Sequence, residues 1–318
     1  MNTLSPNVDT LVNVPSWSTC PPEIHQLVFS FLSVFQLLMV AGSSRYNYFV
    51  VKKHIRDRVN DLLKQWSLPN AFVEFMKNHD VVFSGSAVLA LLEPDSLTPN
   101  DLDTYVPLGA LPAVEAFLST HTLYIAFDNL RSSLGDEADE YVSDGTADTG
   151  VNAVAFYRHP TTNAVLNVIE TTHAIPIAAI FKFHSTFVMN FLTYNALVSA
   201  YPRMTADHVG LVNTRAPTMS LRMHRCLLKY GVRGFNALDR AFDWTNEEHD
   251  CFTYPYCGPC PRVVSDRSTM RIGLALDIGS LPDVIDPQLS WSLARRYDCS
   301  LVKRIVAEKG LVTAGIPS

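Results

Sequence analysis

Positive charge is in short supply in this 318-residue chain, where 25 Lys and Arg stand against 31 Asp and Glu for a net charge of −6. A duplex nucleic-acid binder needs a basic stripe along the phosphates, so the balance argues against that class. A nucleotide remains compatible, because a bound Mg²⁺ offsets phosphate charge locally. Cysteine is scarce as well. Six over this length make no disulfide framework, which points to a reducing, intracellular compartment, cytoplasmic or nuclear. The opening MNTLSPNVDT has no basic patch of the kind a signal peptide carries. Charge is missing altogether from Gln26 to Ser44, a stretch long enough to raise a membrane-spanning reading. Ser30, Ser33 and Gln36 interrupt it, however, and Pro21-Pro22-Glu23 ahead of it starts a helix. Two short helices and no membrane contact are expected.

What the chain does contain centres on Phe83-Ser84-Gly85-Ser86, followed fifteen residues after Ser86 by Asp101-Leu102-Asp103. Val81, Val82 and Phe83 read as a buried strand. Gly85 permits a tight exit, and Ser86 opens a helix over 87–92 whose free N–H groups suit a phosphate. On a strand, residues i and i+2 share a face, so Asp101 and Asp103 point one way while Leu102 faces the core. Two carboxylates on one face suit Mg²⁺ and a triphosphate, with Ser84, Gly85 and Ser86 as the phosphate-binding set. A helix over 111–121 and a strand over 123–127 follow. Then comes a hairpin, 151–157 and 164–170, about the turn at 159–163.

From about Asp80 to Tyr201 this succession resembles the core of the nucleotidyltransferase superfamily. The resemblance implies a third carboxylate on a later strand, completing a two-metal cage. The matching position in this chain is Asn167, and Glu170 falls on the opposite strand face. Asn offers a carbonyl oxygen to a hard cation, but it adds no charge and cannot act as a general base. Two readings stay open: a degenerate pocket holding Mg²⁺ through Asp101, Asp103 and Asn167, or an active enzyme with Asp101 and Asp103 catalytic.

Near the N-terminus, Cys20-Pro21-Pro22-Glu23-Ile24 leads into Leu27, Val28, Phe31 and Leu32 at helical spacing, and Val34 to Ala41 fits a second helix. This resembles an F-box. Cys20 departs from the frequent Leu, Gln36 from the usual acid, and the usual Trp is absent. The resemblance implies docking to the linker subunit of a cullin ubiquitin ligase through Pro22, Ile24, Leu27, Val28, Phe31 and Leu32, as helix-in-groove binding. A helix over 52–66 with Ile55, Val59, Leu62 and Leu63 on one face continues the unit, and Pro69 marks its boundary.

Further on, 129–150 is acidic, carrying Asp136, Glu137, Asp139, Glu140, Asp144 and Asp148, and reads as a mobile insertion. A helix is expected over 178–192, with His184 in a core or capping role. Another is expected over 219–230, where Arg225, Lys229 and Arg233 form a basic cluster. His249, Cys251, Cys257 and Cys260 match the ligand types of structural Zn²⁺, although only the last two form a standard knuckle; buried thiols are the alternative. The F-box-like start together with Ser84-Gly85-Ser86, Asn100 to Asp103, Phe183 to Thr186, Met189-Asn190-Phe191 and Cys257 to Arg262 resembles a group of fungal proteins. The group implies an architecture rather than an activity.

The expected fold is α+β: a helical N-terminal unit, a nucleotidyltransferase-like mixed sheet with flanking helices, and a helical C-terminal extension. The expected organisation is a flexible tail over 1–18, the F-box-like unit over 19–68, the sheet domain over 69–205 and an accessory region with a Cys-rich loop over 206–318. The function these imply is an F-box-type adaptor with a metal–nucleotide pocket. The alternative is an active Mg-dependent nucleotidyltransferase working on an unidentified acceptor.

Overall fold

Pro22 occupies the first helical position of α1 (Pro22–Ser30), where its missing N–H costs nothing. Helix α2 (Val34–Ala41) starts with a reciprocal cap: Ser33 Oγ accepts from Gln36 N, and Gln36 Oε1 accepts from Ser33 N. Gln36, which departs from the F-box pattern, thus has a local reason to be there. Helix α3 (Arg45–Gln65) begins at Ser44, whose Oγ accepts from Asn47 N, and buries Val51, Ile55, Val59, Leu62 and Leu63. This computed structural model describes residues 17–127, 149–213, 221–274 and 289–294, together with Cys299.

Helix α1 is anchored through one side only. The buried side is His25 and Phe29, while the Ile24, Leu27, Val28 and Phe31 stripe faces outward. Trp17 supplies the cover. Its ring lies 4.3 Å from His25 and 6.0 Å from Phe29, and its indole N–H donates to Asn47 Oδ1. Trp17 and Ser18, placed in a flexible tail by the sequence reading, therefore belong to a 3-10 turn, Trp17–Thr19. Residues 1–16 of that tail lie outside the described residues.

The end of α1 is held by Arg58, whose Nη2 donates to Phe29 O and Leu32 O at 2.7 Å each. Burial pushes the Arg58 guanidinium below its usual range, and the charges of Asp95 and Glu93 oppose that. Arg58→Met keeps the packing of the stem and removes both donations. Urea denaturation is expected to show a loss of about 2 kcal/mol, since hydrogen bonds from a charged group contribute about 1.5–3 kcal/mol. Unchanged stability would mean that α1 is held by its ring contacts alone.

The central sheet has eight strands: β1 (Val82–Ser84), β2 (Asp101–Val106), β3 (Ile125–Ala126), β4 (Val151–Arg158), β5 (Val165–Thr171), β6 (Asn190–Leu192), β7 (Ala196–Ser199) and β11 (Met270–Gly273). Their order is β11-β7-β6-β1-β2-β5-β4-β3, antiparallel throughout except for β2 and β5. Two small ladders stand apart, β8 (Val209–Leu211) with β9 (Asn236–Leu238) and β10 (Arg262–Val263) with β12 (Ser290–Trp291). The result is the α+β architecture expected, with a mixed sheet flanked by helices.

Period-two alternation sorts the strand residues onto two faces. Phe83, Leu102, Leu166, Val168, Leu192 and Leu197 pack against the helical layer: α3, α4 (Ala71–Asn78), α5 (Gly85–Leu92) and α6 (Leu111–His121). Phe29 and Leu37 join the same core, so the N-terminal helices and the sheet share one interior. The other face carries Val82, Tyr105, Ile169, Phe191 and Val198, covered by Tyr201, Met204, Cys251, Tyr256, Cys257 and Trp291.

One further difference from expectation has a physical cause. The helix expected over 178–192 is instead a single turn, Ile177–Ile180, then a 3-10 turn, Thr186–Val188, then β6. Polar residues break it. Asn190 Nδ2 donates to Phe187 O, a carbonyl that a helix would have satisfied itself, and Thr186 Oγ1 accepts from Leu211 N of a strand further along the chain. Helix α4 and the edge strand β11 were not foreseen, and β11 brings residues beyond 206 into the main sheet. Of the acidic insertion, 129–148 lies outside the described residues. The C-terminal helix is described over Leu221–Val232, overlapping the expected one, and no helix among the described residues is long and apolar enough to cross a membrane.

Candidate functional site

The strand-to-helix exit forms where expected, with α5 starting at Gly85 directly after β1. Ser84 pairs with Asp103 across β1 and β2, and this register lays the Asp103 carboxylate against Gly85. Gly85 has a φ of +70°. A Cβ there would overlap Asp103 Oδ2 and lie 3.0 Å from its Cγ. Only glycine fits both constraints. Ser84 does not take the expected phosphate role, because it is buried and its Oγ donates to Asn190 O at 2.6 Å. Ser86 sits buried in the first turn of α5.

Asp101 and Asp103 share a face, as their spacing demands. The parallel register sets Asn167 opposite Asp103, and Asn167 Nδ2 donates to Asp101 Oδ2 at 2.9 Å and to Asp103 Oδ1 at 3.0 Å. One amide therefore bridges the two carboxylates. Asn167 Oδ1 is left buried and without a hydrogen-bond partner among the described residues. Burial first, and then the charge of Asp101, push the Asp103 carboxyl up to about 7, against the Asn167 donation and the charge of Lys229. Glu170 lies on the other face, as expected. Its carboxylate accepts from Gly109 N at 2.8 Å and Asn152 Nδ2 at 2.6 Å, which ties it to the start of α6 and away from the Asp pair.

The C-terminal helix closes the site. Tyr230 is buried, and its hydroxyl is pushed up by burial and by the Asp103 charge. Lys229 Nζ lies 5.9 Å and the Arg233 guanidinium 5.5 Å from its ring. Arg233 Nη1 is buried without a hydrogen-bond partner among the described residues. Of the expected basic cluster, Lys229 is close enough to act on the Asp103 charge, and Arg233 packs on the Tyr230 ring. His184 is half-buried, its ring 5.6 Å from Tyr230 and its Nδ1 hydrogen-bonded to Ser185 Oγ at 2.9 Å.

On α1, Ile24, Leu27, Val28 and Phe31 are 43%, 57%, 40% and 68% exposed, and Pro22 is exposed beside them. Leu32 differs from the rest of the expected docking set, being half-buried against the core.

The Cys-rich loop also assembles, with one substitution in its membership. His249, Cys251, Cys257 and Cys299 bring their ligand atoms within 4.8 Å of one another. Cys260 is not among them; its thiol donates to Pro261 O at 3.6 Å. Burial pushes the Cys251 and Cys257 thiols up. The spacing search missed Cys299 because it stands 42 residues beyond Cys257. The only sequence signal for it is that four cysteines fall after position 250 and a knuckle explains two of them. Comparison with protein-family models, with curated proteins and with solved structures returned no match to this chain.

Proposed function

We propose that this chain is an F-box-type adaptor. In this reading α1 docks on the linker subunit of a cullin ubiquitin ligase, while the nucleotidyltransferase-like pocket binds a metal–nucleotide without turning it over. The observation that carries the reading is the outward apolar stripe Ile24, Leu27, Val28 and Phe31 on a helix already anchored through its opposite side by His25 and Phe29. Apolar side chains presented in one row are what helix-in-groove recognition uses, and monomeric surfaces rarely carry such a patch without a partner. Asn167 supports the loss of turnover, since an amide stands where a third carboxylate would complete a catalytic cage. The free cysteines of the chain fit a reducing cell interior, cytoplasmic or nuclear.

Co-purification with the linker subunit tests the adaptor. Leu27→Ala with Phe31→Ala is expected to abolish the complex and leave the thermal midpoint within about 2 °C, because exposed side chains contribute little to folding. A wild-type chain that never binds the linker sinks the reading.

A second reading is an active Mg-dependent transferase, favoured by Lys229 standing close enough to act on the Asp103 charge, where a triphosphate would need countercharge. The donor set suits a hard cation: Asp101 and Asp103 would hold Mg²⁺, and the Asn167 amide, turned by half a rotation, would offer it Oδ1.

A further inference from the structure

We propose that His249, Cys251, Cys257 and Cys299 hold one structural Zn²⁺ that fastens the segment around Cys299 to the 249–257 loop. Four protein ligands of N and S type close a tetrahedral site and leave no position for water, which marks a structural rather than a catalytic ion. The histidine supplies the first independent sign. His249 Nδ1 donates to Glu247 O at 3.0 Å, which fixes the tautomer and leaves Nε2 as the lone-pair nitrogen. That Nε2 is buried and has no hydrogen-bond partner among the described residues. A neutral imidazole with one ring nitrogen on a backbone carbonyl and the other facing three thiols is set as a metal ligand.

Sulfur geometry supplies the second sign. In a tetrahedral site with Zn–S bonds of about 2.3 Å, neighbouring sulfurs stand about 3.8 Å apart. Cys257 Sγ and Cys299 Sγ are 3.7 Å apart. A disulfide would need about 2.05 Å and would leave Cys251 and His249 with no account. The backbone N–H of Cys299 also donates to Cys251 Sγ at 3.2 Å, an outer contact that favours a thiolate once the metal has displaced its proton. Binding Zn²⁺ here releases the three thiol protons to solvent and leaves a site of net charge −1. The surroundings are rigid, because Cys251, Cys257 and Cys299 are packed into the core that holds Tyr256, Trp291 and Leu293 against the sheet.

Metal analysis of the full-length chain, purified under reducing conditions without chelator, is expected to give about one zinc per chain. Cys257→Ser and Cys299→Ser should each lower the content at least fivefold, while Cys260→Ser, whose thiol lies outside the cluster, should keep it. Should the serine variants fail to fold, Co²⁺ added to the zinc-stripped wild type decides the matter. Intense visible bands of tetrahedral geometry with thiolate charge transfer are the expected result. No metal uptake by the wild type, full zinc in Cys299→Ser, or a Cys257–Cys299 disulfide in reducing buffer would overturn the proposal.

Discussion

Gly85→Ala is expected to lose about 3–4 kcal/mol of stability and to displace Asp103. The left-handed backbone at Gly85 costs an alanine about 1–2 kcal/mol. The overlap of its methyl with the Asp103 carboxylate adds a further 1–3 kcal/mol or so, because Asp103 is held on its far side by Asn167 and has little room to retreat. The two costs can be told apart. In the double variant Gly85→Ala with Asp103→Ala, the overlap disappears and the backbone cost stays. The pair should therefore lose less than the sum of the single variants, with a coupling of about 1 kcal/mol or more in urea denaturation. Strict additivity would show that the methyl never meets Asp103. A large coupling makes Gly85 a residue selected for what stands opposite it, which a turn alone does not require.

Asp103→Asn is expected to raise stability above wild type at pH 8, with the advantage shrinking as pH falls. The Asp103 carboxyl ionises at about 7 in the folded chain, against 3.8 ordinarily. Below 3.8 both states are protonated and the site costs nothing. Between these values the unfolded chain ionises while the folded one keeps its proton, so wild-type stability falls as pH rises. Above 7 the full cost is present. At about 1.4 kcal/mol per pH unit the gap corresponds to about 4 kcal/mol, which partial solvent access reduces to about 2 kcal/mol. The advantage should be largest at pH 8 and less than half as large at pH 5. An equal difference at the two pH values would return Asp103 to the ordinary carboxylate range. The same pair of proteins tests the pocket. Mg²⁺ at pH 8 should stabilise wild type and leave Asp103→Asn unmoved, and isothermal titration with Mg-ATP should show binding to wild type alone. If wild type shows no Mg-dependent binding, the Asp pair is structural.

Local rules made the Asp pair, the β4–β5 hairpin and α6 legible, because each depends on period or turn chemistry within a few residues. Asn167 was legible for the same reason: once β5 is placed, alternation decides which residue faces Asp103. The anchoring of the other side of α1 was not. A 3.6-residue period identifies a stripe but does not say which side is covered, and the cover here is Trp17, five residues before the helix. The segment 178–192 misled because its apolar residues suit a buried strand as well as a helix, and tertiary pairing with β1 and β7 decided between them. Cys299 could not be joined to Cys257 by spacing, since the fold brings them together across 42 residues.

The single parallel pairing in the eight-stranded sheet, β2 with β5, sets an order of assembly. Strands β1 and β2 lie close in sequence and can meet early, but β5 arrives from some 60 residues downstream, and contacts of that span form late. Until it docks, Asp101 and Asp103 sit in water, and Asp103 ionises as an ordinary carboxylate. Closure of the sheet buries them and raises the proton affinity of Asp103. Near pH 6 the docking of β5 therefore draws a proton from solution, and the chain completes its polar centre by taking up the charge it is otherwise short of.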